Sequence, residues 1–298
     1  MADHERDGAH VVARHLWMRL EPLHAAAYYS PESAEEYGLA GLKGWAAYIA
    51  ARSAPLGQVP AAVVTAAFFN FAPALVQRHV PSCWSACTPE QAWSARLRGA
   101  DRTLRRLLGP ESVEDSTVEE AARIARRAAA AAAPDGRALF AAHLELDWPR
   151  EHHLVLWQAA TLLREHRGDG HSAAAVAHGL SGLEMHVTHA AATGLTSRRI
   201  VTARRGWSDD DWDQALLRLQ ARGLLGESGE LTAAGRAVRD SVEDATDRAA
   251  WGAWEGVAVE EQERLAGLAG ALSGSVIAGG GLPTENALGL PRWWEARG

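Results

Sequence analysis

Residues 162–171 read Leu-Leu-Arg-Glu-His-Arg-Gly-Asp-Gly-His, a run in which Arg164, Glu165, His166, Arg167 and Asp169 crowd together just ahead of His171. Arginine grips anions through a planar fork, histidine moves protons near neutral pH, and histidine with aspartate ligates metals. His166, Asp169 and His171 are therefore the candidate catalytic residues, as acid/base groups or as metal ligands. Arg164 and Arg167 would stabilise developing negative charge. The pattern His-x-x-Asp-x-His matches no recognised metal spacing, so no cofactor is named by it. His186 and His189, three apart, would complete such a site or pack as ordinary polar residues. Gly168 and Gly170 predict a loop of fixed shape.

A second set consists of polar residues in apolar settings: His24, Tyr28, Arg52 and Asn70. Asn70 lies between Phe69 and Phe71, and a buried amide without partners costs about 1–3 kcal/mol. Arg52 precedes Pro55 at a helix end, where it would cap carbonyls or reach a ligand. The chain carries 12 Trp against 4 Phe and 4 Tyr, and indole N–H groups want partners when buried. We expect His24, Tyr28, Arg52, Asn70, Trp84, Arg164 and Arg167 to bind ligand in one cleft between domains, lined by Trp17, Trp45, Trp84 or Trp157. A hydrophobic, aromatic molecule with one anionic or carbonyl handle suits such a cleft.

Composition narrows the classes. At 298 residues, 47% hydrophobic and 22% charged, the chain is long enough for one large core or a few small ones. No run of about 18 apolar residues is present and the start lacks the pattern of a signal peptide, so a cytoplasmic protein without a membrane partner is expected. Cys83 and Cys87 have no second pair to complete a zinc site and read as reduced, partly buried thiols. The net charge of -7 disfavours nucleic acid, because phosphate neutralisation supplies most non-specific affinity. No Gly-rich phosphate loop or nucleophile elbow occurs.

The elements that must position these residues read as helices. The spacing predicts a helix over 11–27, kinked or broken near Arg19 by Pro22. A Ser30-Pro31 start follows, with a further helix over 39–51. An apolar run over 61–71 reads as a buried helix. Thr88-Pro89 and Thr117-Val118-Glu119 open two more. Beyond residue 154 a helix runs to 163, the charged loop intervenes, and short helices over 172–178 and 183–192 flank Gly179. A clearer unit comes next: helices over 197–205 and from Ser208, two very short strands around Ser228-Gly229, and a long helix over 233–249. A last helix spans 255–278, before a tail ending in Trp293-Trp294 that is expected to fold back.

Helix, helix, hairpin, helix is a winged-helix order. Residues 219–235, Leu-Gln-Ala-Arg-Gly-Leu-Leu followed by Gly-Glu-Leu-Thr-Ala-Ala-Gly-Arg, resemble the wing of MarR-type regulators. Leu20-Glu21-Pro22-Leu23-His24, Arg52-Ser53-Ala54-Pro55-Leu56-Gly57, Phe69-Asn70-Phe71-x-Pro73 and the 163–171 motif together resemble an actinobacterial family described as helix-turn-helix proteins, found in antibiotic-producing genera. The resemblance implies tandem winged-helix modules behind a helical N-terminal domain, and it brings no catalytic assignment.

The expected fold is thus mainly α: a helical N-terminal domain over 1–149, a first helix-turn-helix or winged-helix module over 150–194, a second winged-helix module with a short β-wing over 195–254, and a C-terminal helix and Gly/Pro/Trp tail over 255–298. The expected function is binding of a small organic molecule, such as a natural product or its precursor. An enzyme using the charged loop is one alternative, and a DNA-binding regulator is the other. Asp209, Asp210, Asp211 and Asp213 at the start of the reading helix would repel a duplex, leaving Arg198, Arg199, Arg204 and Arg205 as the case for phosphate contact. The C-terminal helix could serve a homodimer.

Overall fold

A computed structural model describes residues 2–283, 288, 290, 293 and 294. The described residues form fourteen α-helices: α1 (Ala2–Tyr29), α2 (Pro31–Leu39), α3 (Gly44–Ser53), α4 (Ala61–Phe68), α5 (Pro73–His79), α6 (Pro89–Leu108), α7 (Ser116–Ala131), α8 (Ala138–Leu144), α9 (His152–Ala177), α10 (Gly182–Thr193), α11 (Arg198–Arg205), α12 (Asp209–Ala221), α13 (Ala233–Trp251) and α14 (Val259–Ala278). They group into two compact units, each gathered from separate stretches of chain. Unit 1 takes residues 1–59, 79–169 and 247–283; unit 2 takes 60–78, 170–246 and the segment from 284. α9 and α13 contribute residues to both.

In unit 1, α1 lies along α14, and α6 packs against α1, α2, α3 and α14. The starts of these helices follow local chemistry. Ser30 caps α2 ahead of Pro31, and Thr88 with Gln91 forms a capping box ahead of Pro89, each satisfying N–H groups that a helix start leaves unpaired. α6 buries Ala92, Ala95, Gly99, Ala100, Thr103, Leu104 and Leu107 on one stripe. Gly99 is required there: a Cβ would stand 2.5 Å from Ser33 Oγ and 2.7 Å from its Cα. The apolar core continues through Leu16, Leu20, Ile124, Phe140, Trp157, Trp254, Leu265 and Val276.

In unit 2, α10, α11 and α12 contact one another pairwise. Their core holds Leu183, Val187, Val201, Trp212, Ala215, Leu219, Leu224, Leu231 and Val242. Ser181 with Glu184 and Ser208 with Asp211 make capping boxes for α10 and α12. Residues 69–75 lie against the turn between α11 and α12. Ala72 N–H donates to the Arg205 carbonyl at 2.9 Å, Trp207 Nε1 donates to the Asn70 carbonyl at 3.0 Å, and a Cβ on Gly206, at φ +77°, would stand 2.7 Å from Leu75 Cβ.

Several sequence expectations need correction. The charged loop does not exist: α9 runs without interruption from His152 through Ala177, so no separate 172–178 helix follows a loop; the expected Gly179 break is present, at φ +67° between α9 and α10. Partners for the charged side chains explain the continuity, since buried ion pairs and hydrogen bonds offset the low helix propensity of Gly168 and Gly170. Pro22 sits inside α1 without ending it. The 39–51 helix begins only at Gly44. The 61–71 run is not a buried helix, because only Val64 and Phe68 of α4 are buried and Val63 is 41% exposed. In place of two strands the described residues carry one antiparallel bridge, Leu225 to Leu231. α8 was not foreseen. Of the C-terminal tail, Trp293 and Trp294 meet edge to face at 5.5 Å.

Candidate functional site

Four helices of unit 1 turn polar stripes toward a common centre. On α1, Trp17, Glu21, His24 and Tyr28 recur at i, i+4, i+7 and i+11; on α3, Trp45, Tyr48 and Arg52 at i, i+3 and i+7; on α9, Trp157, Thr161 and Glu165 at i, i+4 and i+8; α6 adds Trp93 and Arg96. These spacings keep each set on one helix face.

Glu165 is the hub, with none of its surface exposed. Its two oxygens accept from Arg52 Nε at 3.0 Å and Nη2 at 2.9 Å, the side-by-side geometry that suits a guanidinium fork. Arg164 Nη1 reaches the same carboxylate at 2.7 Å, and its Nε stands 3.8 Å from Glu21. Glu21 also accepts from Trp17 Nε1 at 2.9 Å. Burial alone would raise the Glu165 carboxyl, but Arg164 and Arg52 hold it well below the usual range. Glu21 goes the other way: burial outweighs Arg164 and pushes it up to about 7.

The histidines are fixed as neutral donors on Nδ1. Thr161 Oγ1 donates to the Trp157 carbonyl at 2.9 Å, so it must accept from His24 Nδ1 at 2.8 Å. His143 Nδ1 likewise donates to the Leu139 carbonyl at 2.8 Å. Each ring therefore presents Nε2 as a bare acceptor, and neither Nε2 has a protein partner. Burial, reinforced by Arg96, holds His24 well below its ordinary value. Burial brings His143 down to about 4 against the pull of Glu165. His24 stacks on Trp157 at 6.3 Å and meets Tyr28 edge-on at 5.1 Å. Trp17, Tyr28, Trp45 and Tyr48 are half-buried, with Tyr48 5.0 Å from Tyr28 and 5.8 Å from Trp45. The centre is ionic and its rim aromatic.

The structure brings together His24, Tyr28, Arg52 and Arg164 of the expected ligand-binding residues. Arg167, one helical step aside, pairs with buried Asp247 at 2.7 Å and lies over the Trp17 ring at 5.0 Å. Trp84, half-buried in unit 1, has an indole nitrogen with no partner. Asn70 belongs to unit 2, where its backbone carbonyl accepts from Trp207.

The expected catalytic trio does not assemble. On a continuous helix His171 points about 140° away from His166, and it falls in unit 2, facing the Thr246 hydroxyl at 3.0 Å. His166 packs edge-on against Phe140 at 4.9 Å and is lowered to about 4 by burial and then Arg137. Asp169 accepts the Leu139 and Phe140 N–H groups, both at 3.0 Å, and so caps α8. His186, in unit 2, is brought to about 3 by burial and then Arg205. Among the described residues no cluster of three His, Cys, Asp or Glu could hold a metal. Cys83 and Cys87 are buried free thiols.

Sequence reasoning missed Glu21, Arg96, His143, Thr161 and the central place of Glu165. The signal for Arg96 was available: it stands on α6 between Ala92, Ala95, Gly99 and Ala100, inside an otherwise apolar stripe.

In unit 2 the two short helices α11 and α12 meet at Gly206, whose φ of +77° makes the tight turn. A model of a helix-turn-helix family matches residues 13–283. The chain belongs to that family. No curated protein and no solved structure matches it. In this helix-turn-helix protein the start of α12 is acidic, and Arg198 is bound to Asp213 at 2.8 Å and to Asp209. An open concavity of about 780 Å³ on unit 2 is bordered by Val176, Leu180, Glu184, Arg218 and Arg222. Its carboxylate already holds Arg218 at 3.1 Å and caps α10 through Ser181. Among the described residues no helix is long and apolar enough to cross a membrane.

Proposed function

We propose that this helix-turn-helix protein binds a small organic molecule at the polar centre of unit 1. The observation that carries the reading is the bare Nε2 of His24, deep in a cluster of charges beneath a half-buried aromatic rim. A buried acceptor without a partner costs about 1–3 kcal/mol, and a ligand N–H or O–H would remove that cost. The rim of Trp17, Tyr28, Trp45 and Tyr48 supplies the flat apolar walls that an aromatic ligand requires. Sequestering or sensing a natural product or its precursor is the role this chemistry suits. Unit 2, with α10, α11, α12, the Leu225–Leu231 bridge and α13, serves as a winged-helix module through which occupancy would be read out, by a second copy of the chain or another protein.

The test is to purify the protein without denaturants, unfold it, and identify by mass spectrometry what is released. A single organic species released by the wild type and lost from His24→Leu is the expected result. The same species held in full by His24→Leu would remove this site from the proposal.

Family membership and the α11–α12 turn favour a second reading, duplex DNA binding by unit 2. The carboxylates Asp209, Asp210, Asp211 and Asp213 stand where phosphates would approach, and no gel shift is expected at either low or physiological salt. A shift at low salt with a steep salt dependence would reinstate DNA as the partner.

A further inference from the structure

We infer that the molecule bound in unit 1 is an organic anion, an aromatic carboxylate bearing a hydrogen-bond donor, and that Arg96 is the residue that grips its carboxylate. This rests on the binding reading above and adds the ligand's chemical class.

Arg96 is 1% exposed. A guanidinium that deep is ordinarily paired with a carboxylate or phosphate. Arg96 has neither among the described residues. Its Nη2 donates to Tyr28 Oη at 2.7 Å, its Nη1 reaches the Ala51 carbonyl at 3.4 Å, and its Nε has no partner. What surrounds it is aromatic: its Cζ lies 5.2 Å from the Tyr28 ring centre, 5.3 Å from Trp157 and 5.6 Å from Trp93. Ring faces attract a cation but do not neutralise it.

Charge counting over the cluster points the same way. Arg52, Arg96 and Arg164 bring three positive charges, while Glu165 and Glu21 are the carboxylates paired with them. The centre of unit 1 therefore holds at least one positive charge in excess, and that excess is at Arg96. A second donor adjoins the guanidinium. Because Tyr28 Oη accepts from Arg96, its own hydrogen is left to donate, so one carboxylate oxygen would take Arg96 Nε–H and the other the Tyr28 hydroxyl. The bare His24 Nε2, beside the same Tyr28 ring, would accept from a hydroxyl or N–H on the ligand ring.

Salicylate and salicylamide are suitable probes, since they share a ring and a hydroxyl and differ in charge. Thermal unfolding of the full chain would be followed with each probe in the wild type, Arg96→Met, Arg96→Lys and His24→Leu. Salicylate is expected to raise the wild-type Tm in a concentration-dependent way and salicylamide to leave it unchanged. Arg96→Met should weaken salicylate binding by about 10-fold or more, with Arg96→Lys between the two. Without probe, Arg96→Met should melt no lower than the wild type, because it removes an unpaired buried charge while keeping most of the side-chain volume. A salicylamide shift as large as that of salicylate, lost in His24→Leu, would overturn the anion and leave the binding site standing. Absence of a shift with either probe, or an Arg96→Met protein that melts well below wild type yet keeps its salicylate response, would overturn the role of Arg96. The molecule released on unfolding would then decide the site on its own.

Discussion

Units 1 and 2 bury charge in opposite ways. Unit 1 puts Arg52, Arg96, Glu21 and Glu165 at its centre, facing inward from four helices, with Glu165 fully enclosed. Unit 2 buries one member of a pair at a time: Glu184 and Arg239 are buried, but their partners Arg218 and Glu243 reach water, and Arg198 and Asp213 are each more than a third exposed. Burying ions costs several kcal/mol apiece before any pairing. A domain whose only task was to fold would gain more from leucine at those positions. The contrast is what the proposed ligand binding in unit 1 rests on: a buried ionic centre is costly to keep for stability alone.

The largest expected effect comes from removing the hub. Glu165→Leu strands Arg52 and Arg164 without their shared carboxylate, which should cost about 3–5 kcal/mol and lower Tm by roughly 10 °C. The double variant Arg52→Leu with Glu165→Leu should recover part of that loss, since it removes a charge along with its partner. Thermal denaturation of the three proteins measures both. A double variant less stable than Glu165→Leu would mean that Arg52 acts by packing rather than by charge, and the contrast between the units would weaken.

Next come two titrations of opposite sign. Glu21 has its carboxyl raised from 4.5 to about 7, so its contribution to stability is fully present below pH 4.5 and is lost as pH rises through about 7. That loss is on the order of 3 kcal/mol. Glu21→Gln stays neutral at every pH. It should match the wild type in mild acid and exceed it above pH 7, as read by urea denaturation at pH 5 and pH 8. His143 is lowered from 6.5 to about 4, so its contribution is present above pH 6.5 and is lost as pH falls through about 4. His143→Leu should therefore gain on the wild type only in acid, by an amount of similar order. Matching pH profiles for both variants and the wild type would show that unit 1 admits enough water to screen its interior.

How much of this was legible in the sequence depended on which physics decided each element. Caps, breaks and apolar periodicity located α6, α10, α11, α12 and α13, because Thr88 and Ser208 act within one turn of themselves and Gly179 ends the helix ahead of α10. The stretch 164–171 was misread because composition and conformation disagree there: charge beside two glycines is what a loop looks like, and only Arg52, 113 residues away on another helix, reveals why the chain stays helical. His24, Tyr28 and Arg52 were found because each stands in an apolar setting, and Arg164 because it belongs to the charged run. Arg96 interrupts an apolar stripe just as plainly, yet seven other arginines between 98 and 127 mask it. His166 and Asp169 were chosen for residue type, while the helix turns one toward Phe140 and the other toward the α8 start. Their neighbours, not their chemistry, set their roles.

The smallest effect sharpens the comparison from the other side. Arg198 holds Asp213 and Asp209 at the mouth of α12, with pairs as well formed as any in unit 1. Their setting differs: both partners face water, which already solvates each ion, and salt screens what attraction remains. Arg198→Ala should leave Tm unchanged within error at physiological salt and at most shift it slightly at low salt. What it should alter is the field around the acidic turn, where one positive charge fewer makes approach by a polyanion still less favourable. A clear loss of stability at high salt would show that the pair is shielded from solvent, and unit 2 would then share the trait that sets unit 1 apart.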